Sequence, residues 1–214
     1  DDDNGNKNGQ IDFGENIMLD LSIENVGEQD AVDVNSVLST TSEWVSLSDD
    51  TEPYGDIAIE ETVMKYQAFD FDVASNVPDQ TEMQFQLMAS DGNTEWYSEF
   101  SLIANAPVLA STSMLIDDTE NGDGNGIIDP GESFVISVIV SNDGHSDCES
   151  AVALLETTSD YITIDNASIE MGDMDIAATF ICDFSASADE YVPQGTPVDF
   201  ILSLNTGEYE FEST

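Results

Sequence analysis

Two short segments of this chain place oxygen-bearing side chains at alternate positions between glycines. One runs Asn121-Gly122-Asp123-Gly124-Asn125-Gly126-Ile127-Ile128-Asp129-Pro130-Gly131-Glu132, the other Asn4-Gly5-Asn6-Lys7-Asn8-Gly9-Gln10-Ile11-Asp12-Phe13-Gly14-Glu15. A hard divalent cation such as Ca2+ takes about six to eight oxygens at flexible distances, and alternate residues of a tightly turned loop can supply them. The spacing follows an EF-hand type loop, with oxygens at the odd positions, glycine at the sixth and glutamate at the end. Asn121, Asp123 and Asn125 are expected to coordinate by side chain, Ile127 by its carbonyl, Asp129 directly or through water, and Glu132 with both oxygens. Gly126 permits the sharp turn. The counterparts in the other segment are Asn4, Asn6, Asn8, Gln10, Asp12 and Glu15.

The first position of such loops is normally Asp, and here it is Asn4 or Asn121, which removes one charge from each site. Asp118 and its counterpart Asp1 lie just upstream, where either could restore a carboxylate. Ligand charge then places the affinity at roughly 0.1 to 1 mM, the range of extracellular modules. Asn, Asp and Gly also favour turns without any metal. Two copies that both retain the spaced Asp and Glu favour the metal reading.

The elements that carry these loops are legible from a repeat. At an offset of 117 residues the register holds without a gap for roughly 48 residues, with about fifteen identities. These include Asn25/Asn142, Gly27/Gly144, Asp30/Asp147 and the triplets Thr40-Thr41-Ser42 and Thr157-Thr158-Ser159. After a shift of two residues Val77-Pro78 meets Val192-Pro193, and Thr81 meets Thr196. A self-match of this kind reads as two copies of one module.

Within each copy the apolar period is two, the signature of a strand with one buried face. Ile17, Leu19, Leu21 and Ile23 are expected to face inward, with Phe134, Ile136, Val138 and Val140 as their second-copy set. Met83, Phe85, Leu87 and Ala89 pair likewise with Val198, Phe200, Leu202 and Leu204. About seven short strands per copy, separated by turn signals such as Asn142-Asp143-Gly144, predict an all-β fold. The expected architecture is two tandem immunoglobulin-like or fibronectin-like β-sandwich modules, residues 1–104 and 105–214. A jelly roll is the alternative.

The stretch from Ala106 to Ile116 reads as a first strand, for which the first module shows no equivalent. The last strand of the second module reads as truncated. Two explanations fit: a window on a longer array, or neighbouring chains that complete one another by adding a strand.

Composition narrows the function. Against 46 acidic residues stand two lysines, Lys7 and Lys65, and the net charge is -44. Bound divalent cations or high ambient salt would relieve the self-repulsion, so halophilic adaptation is a rival reading of the acidity. Nucleic acid and anionic membrane are poor partners for a polyanion. No apolar run is long enough for a membrane-spanning helix, so no membrane insertion is expected. Cys148 and Cys182 fall in one half only, either bridged or buried as thiols.

The loop, the following Asn-x-Gly, Thr158-Ser159-Asp160-Tyr161-Ile162-Thr163-Ile164, Gly172-Asp173-Met174 and Val192-Pro193-Gln194-Gly195 together resemble the tandem immunoglobulin-like repeats of large secreted bacterial proteins, including those attached to gingipain-like cysteine peptidases. The first copy is looser, with Phe13 for Pro130 and Trp44 for Tyr161. The resemblance implies architecture and secretion more than activity. No residues match a peptidase nucleophile with its base, His145 reads as a solvated turn residue, and no catalytic residues are assigned.

The expected role is therefore non-catalytic: a calcium-stabilised structural or adhesive segment of a stalk, fibre or adhesin, secreted or on the cell surface. Its expected partners are neighbouring repeats of the same or an identical chain and a cell-surface or matrix glycan or protein. The alternative is an accessory glycan- or protein-binding module of a secreted hydrolase, with Trp44, Tyr161, Trp96, Tyr97 and Tyr209 as sugar-stacking candidates.

Overall fold

The structure, a computed structural model, describes residues 5–120 and 122–213. Alternating apolar residues give strands throughout: the fold is all-β, with four antiparallel sheets. No helix among the described residues is long and apolar enough to cross a membrane. The chain divides into two compact units, Asp1–Ala106 and Pro107–Thr214.

Unit 1 contains β1 (Asn16–Glu24), β2 (Ala31–Thr40), β3 (Val45–Asp49), β4 (Thr51–Ile57), β5 (Thr62–Val73), β6 (Thr81–Ser90) and β7 (Glu95–Ala104). One sheet has the order β1-β5-β3 and the other β4-β2-β6-β7. Unit 2 contains β8 (Leu109–Asp117), β9 (Ser133–Asn142), β10 (Cys148–Thr157), β11 (Ile162–Ile164), β12 (Ser168–Met174), β13 (Thr179–Ala188), β14 (Phe200–Thr206) and β15 (Tyr209–Ser213). Its sheets run β11-β13-β9-β8 and β12-β10-β14-β15. From β9 onward each strand has a counterpart in unit 1 with the same neighbours, and β8 has none among the described residues. Each unit is an immunoglobulin-like sandwich of two sheets.

Correspondence extends to backbone conformation. The non-glycine residues held at positive φ include Asp33 and Ser150, and Glu60 and Ala177, pairs that stand at the same offset of 117. The N–H of Asp33 donates to Asp56 Oδ1 (2.9 Å) and that of Ser150 to Asp173 Oδ1 (3.0 Å), so one carboxylate braces the same bulge in each unit. The two-residue shift in the self-match has a structural cause in β5. Leu21 pairs with Lys65 and Leu19 with Phe69, a bulge absent from the ladder of β9 and β13. Gln67 occupies the bulge at φ 53° and donates its N–H to Asp20 Oδ1 (2.7 Å).

Phe134, Ile136, Val138 and Val140 of β9 are all buried against Phe184, Leu155 and Leu204 in the core of unit 2. In unit 1, Met83, Phe85, Leu87 and Ala89 are buried as their spacing predicts. On β1, Ile17 is buried, but Leu19, Leu21 and Ile23 are only half-buried. The cause is topological: β9 has β8 along its outer edge, and β1 has no strand there among the described residues. Cys148 on β10 and Cys182 on β13 are free, buried thiols. Burial pushes the Cys182 thiol up to about 11.

Candidate metal centre

Both loops are built on the same turn chemistry. In unit 2 the Asn125 N–H donates to Asp123 Oδ1 (3.0 Å) and the Ile127 N–H to Asn125 Oδ1 (2.6 Å). In unit 1 the Asn8 N–H donates to Asn6 Oδ1 (2.9 Å) and the Gln10 N–H to Asn8 Oδ1 (2.7 Å). Asx turns repeated every second residue curl the loop and turn alternate side chains toward one centre. Gly124 is held at φ 74°, and its counterpart Lys7 takes the same left-handed conformation at φ 63°.

The closing glutamate ties the two ends of each loop together. Glu132 Oε1 accepts from the Asp123 N–H (2.9 Å) and Oε2 from the Asp129 N–H (3.0 Å). Glu15 does the same with the N–H groups of Asn6 and Asp12, both at 2.9 Å. Each carboxylate oxygen keeps a second lone pair, so this clamp leaves capacity for a cation. The clamp demands glycine opposite it. A Cβ on Gly122 would lie 1.8 Å from Glu132 Oε1 and 2.7 Å from the Asp118 carbonyl oxygen, and one on Gly5 would lie 2.0 Å from Glu15 Oε1.

In unit 2, Asp118, Asp123 and Glu132 each bring one carboxylate oxygen within 4.8 Å of the others. Two oxygens on one calcium, each about 2.4 Å from it, lie no more than about 4.8 Å apart, so the three can share an ion. Asp118 and Glu132 are buried and Asp123 is exposed. Asp118 also accepts from the N–H groups of Asn125 (3.2 Å) and Gly126 (3.2 Å). These bonds act against a repulsion that for two charges at this spacing is on the order of 3 kcal/mol at an effective dielectric of about 20.

Other expected ligands are arranged around this trio. Asn125 donates its amide to Asp129 Oδ2 (3.3 Å), and Asp129 itself is exposed and outside the trio. The Ile127 side chain is exposed and carries no ligand atom, so only its backbone carbonyl could contribute. Asn121 lies outside the described residues, as do Asp1 and Asn4 of the first loop.

The loop of unit 1 is less acidic, with Asn6 at the position of Asp123 and Lys7 at that of Gly124. Asn6 and Asn8 both donate their amides to Asp12 Oδ2, at 2.8 and 2.7 Å. Asp12 Oδ1 is buried with no hydrogen-bond partner, an orphaned carboxylate oxygen in a loop that would aim it at a cation. Gln10 uses its side-chain oxygen to accept from Asn105 Nδ2 (3.0 Å), and its backbone carbonyl holds the loop position of the Ile127 carbonyl. The donor set of the unit 2 loop, all oxygen and partly buried, fits calcium, and among the described residues no equivalent acidic trio forms in unit 1. Sequence reasoning missed the glycine opposite the glutamate, because the Asn-Gly dipeptide reads as a turn signal alone.

The aromatic candidates for sugar stacking are dispersed. Trp44 packs against the core of unit 1, while Trp96 and Tyr97 are successive residues of β7 and point to opposite faces. Tyr209 lies parallel to Phe211, which packs on the core of unit 2.

No family model matches the chain, and no curated protein matches it. Among solved structures it is similar to the CsuC-CsuE chaperone-tip adhesion subunit pre-assembly complex from archaic chaperone-usher Csu pili of Acinetobacter baumannii, at 12% identity over 81% of this chain and 85% of that one, with a TM-score of 0.25. It is similar to the YadV chaperone at 7% identity over 95% and 96%, with a TM-score of 0.31. It is also similar to a protein of unknown function from Porphyromonas gingivalis W83 at 14% identity over 93% and 91%, with a TM-score of 0.27. Likeness at this level leaves the function to be read from this chain's own residues.

Proposed function

We propose that the chain is a non-catalytic, calcium-stabilised structural module of an extracellular stalk, fibre or adhesin. The observation that carries this reading is the convergence of Asp118, Asp123 and Glu132 on one point of a loop already curled by its own side chains. A cation there neutralises carboxylates that burial would otherwise leave repelling one another. The loop leads straight into β9, so the bound ion stiffens a sandwich rather than moving a helix. An affinity of roughly 0.1 to 1 mM suits external calcium and would leave the sites empty at cytosolic levels. Asn6 and Lys7 make the unit 1 loop the weaker site.

Calorimetric titration of the metal-free chain with CaCl2, paired with thermal unfolding in calcium and in chelator, tests the reading. The expected result is binding near the millimolar range and a melting temperature several degrees higher in calcium, with the unit 2 site weakened at least tenfold by Asp118→Asn. Absence of heat, together with identical melting in calcium and chelator, would sink it.

A further inference from the structure

The dipeptides Asn125–Gly126 and Asn8–Gly9 carry a chemistry separate from metal binding. An asparagine followed by glycine can be attacked by its own backbone, because the glycine nitrogen reaches the side-chain Cγ and no Cβ crowds the ring that forms. All four residues are exposed to water, and both glycines sit in the left-handed region, at φ 76° and 80°.

Each asparagine amide is held at both ends. Asn125 Oδ1 accepts from the Ile127 N–H (2.6 Å), and its Nδ2 donates to Asp129 Oδ2 (3.3 Å). Asn8 Oδ1 accepts from the Gln10 N–H (2.7 Å), and its Nδ2 donates to Asp12 Oδ2 (2.7 Å). The plane of the amide is thereby fixed beside the glycine nitrogen, which lies inside the same Asx turn. The N–H on Oδ1 stands where negative charge develops when Cγ becomes tetrahedral, the place of an oxyanion donor. In unit 2 the Gly126 N–H is itself oriented by Asp118, at 3.2 Å from Oδ1 and 3.3 Å from Oδ2. Asn6 is an internal control. Its Oδ1 accepts from the Asn8 N–H (2.9 Å) and its Nδ2 donates to Asp12 Oδ2 (2.8 Å), yet Lys7 follows it.

We propose that Asn125–Gly126 and Asn8–Gly9 are self-modifying sites, at which the turn geometry of the loop promotes loss of the asparagine amide. Hydroxide removes the glycine N–H proton, the nitrogen attacks Cγ, and a C–N bond forms as the bond from Cγ to Nδ2 breaks. The departing nitrogen takes a proton from water and leaves as ammonia, which regenerates hydroxide. A second water opens the cyclic imide at one carbonyl to give aspartate, or at the other to give isoaspartate. Aspartate places a carboxylate at the fifth loop position in place of a neutral amide, and affinity at oxygen sites rises with ligand charge. This consequence, unlike the modification itself, rests on the calcium reading above. Isoaspartate adds a carbon to the backbone and spoils the turn.

The test ages the whole 214-residue chain at neutral pH in calcium-free NaCl buffer, folded and unfolded in urea, and maps the conversion of each asparagine by peptide mass. Asn125 and Asn8 are expected to convert at least about fivefold faster in the folded chain, and Asn6 to stay intact. Equal or slower conversion of Asn125 in the folded chain overturns the inference, and so does conversion of Asn6 at the same rate. Asn125→Asp, made directly, is expected to bind calcium at least about fivefold more tightly than the parent. Unchanged affinity overturns the consequence drawn for the loop. If neither parent nor variant binds calcium, the metal reading fails, while the ratio of folded to unfolded rates still decides the modification.

Discussion

The closing glutamate of each loop serves two partners whose demands are compatible. Its oxygens hold two N–H groups across the loop, and the remaining lone pairs face the same interior as Asp118 and Asp123. The glycine opposite it is a steric requirement, so Gly122→Ala must displace either Glu132 or the Asp118 backbone. We expect Gly122→Ala to cost about 2 kcal/mol and to weaken calcium binding at least tenfold. Gly5→Ala meets only the Glu15 side chain and should cost less. Thermal unfolding of the two variants in calcium and chelator checks this; a Gly122→Ala chain that melts and binds like the parent would refute the clamp. The spacing of Asp123, Asn125 and Asp129 made the loop legible, because distance along a turn limits which oxygens can meet. Spacing does not say whether an oxygen faces an ion or an N–H, and here Asn125 Oδ1 holds the Ile127 N–H.

At the scale of elements, identities that read as turn signals prove to be corner braces. Asn142 donates to the carbonyls of Ser146 (2.9 Å) and Met174 (3.2 Å) and accepts from the Gly144 N–H (3.1 Å). Asn25 makes the same bonds to Gln29 (2.8 Å), Ile57 (3.0 Å) and Gly27 (3.0 Å). Asp30 and Asp147 finish the corner on the N–H groups of Ile59 and Ile176. Thr40 and Thr157 tie their strands to the carbonyls of Gln84 and Asp199. Asn142→Ala strands buried carbonyls and should cost about 3 kcal/mol, whereas Asn25→Ala, half-open to water, should cost about 1 kcal/mol. Denaturant unfolding of each variant measures the pair, and a reversed order would contradict the role of burial. Strand periodicity was plain in the sequence where one face is buried, as in Met83 to Ala89. The half-burial of Leu21 and Ile23 was not, because period two marks a face and carries no word of what lies beside the edge. The bulge at Gln67 showed only as a two-residue slip, since two extra residues leave the strand on either side of it in phase.

For the whole molecule the dominant quantity is charge. Among the described residues the one ion pair is Lys65 with Glu52 at 3.3 Å, half-exposed and worth at most about 1 kcal/mol. Such a pair cannot offset a net charge of -44, so self-repulsion opposes both compact units. Screening and specific binding then separate by concentration. Raising NaCl from about 0.05 to about 1 M shortens the Debye length from roughly 14 to 3 Å, and the melting temperature should climb by several degrees. Calcium at about 2 mM adds almost nothing to ionic strength, and its stabilisation should survive in high NaCl while that of an equal magnesium concentration does not. If calcium acted only as a diffuse counterion, its effect would vanish once sodium had already screened the surface. Melting temperatures across the salt series, with each divalent ion in turn, decide between a gripped ion and an ion cloud, because only the gripped one keeps part of its effect once sodium has screened the surface.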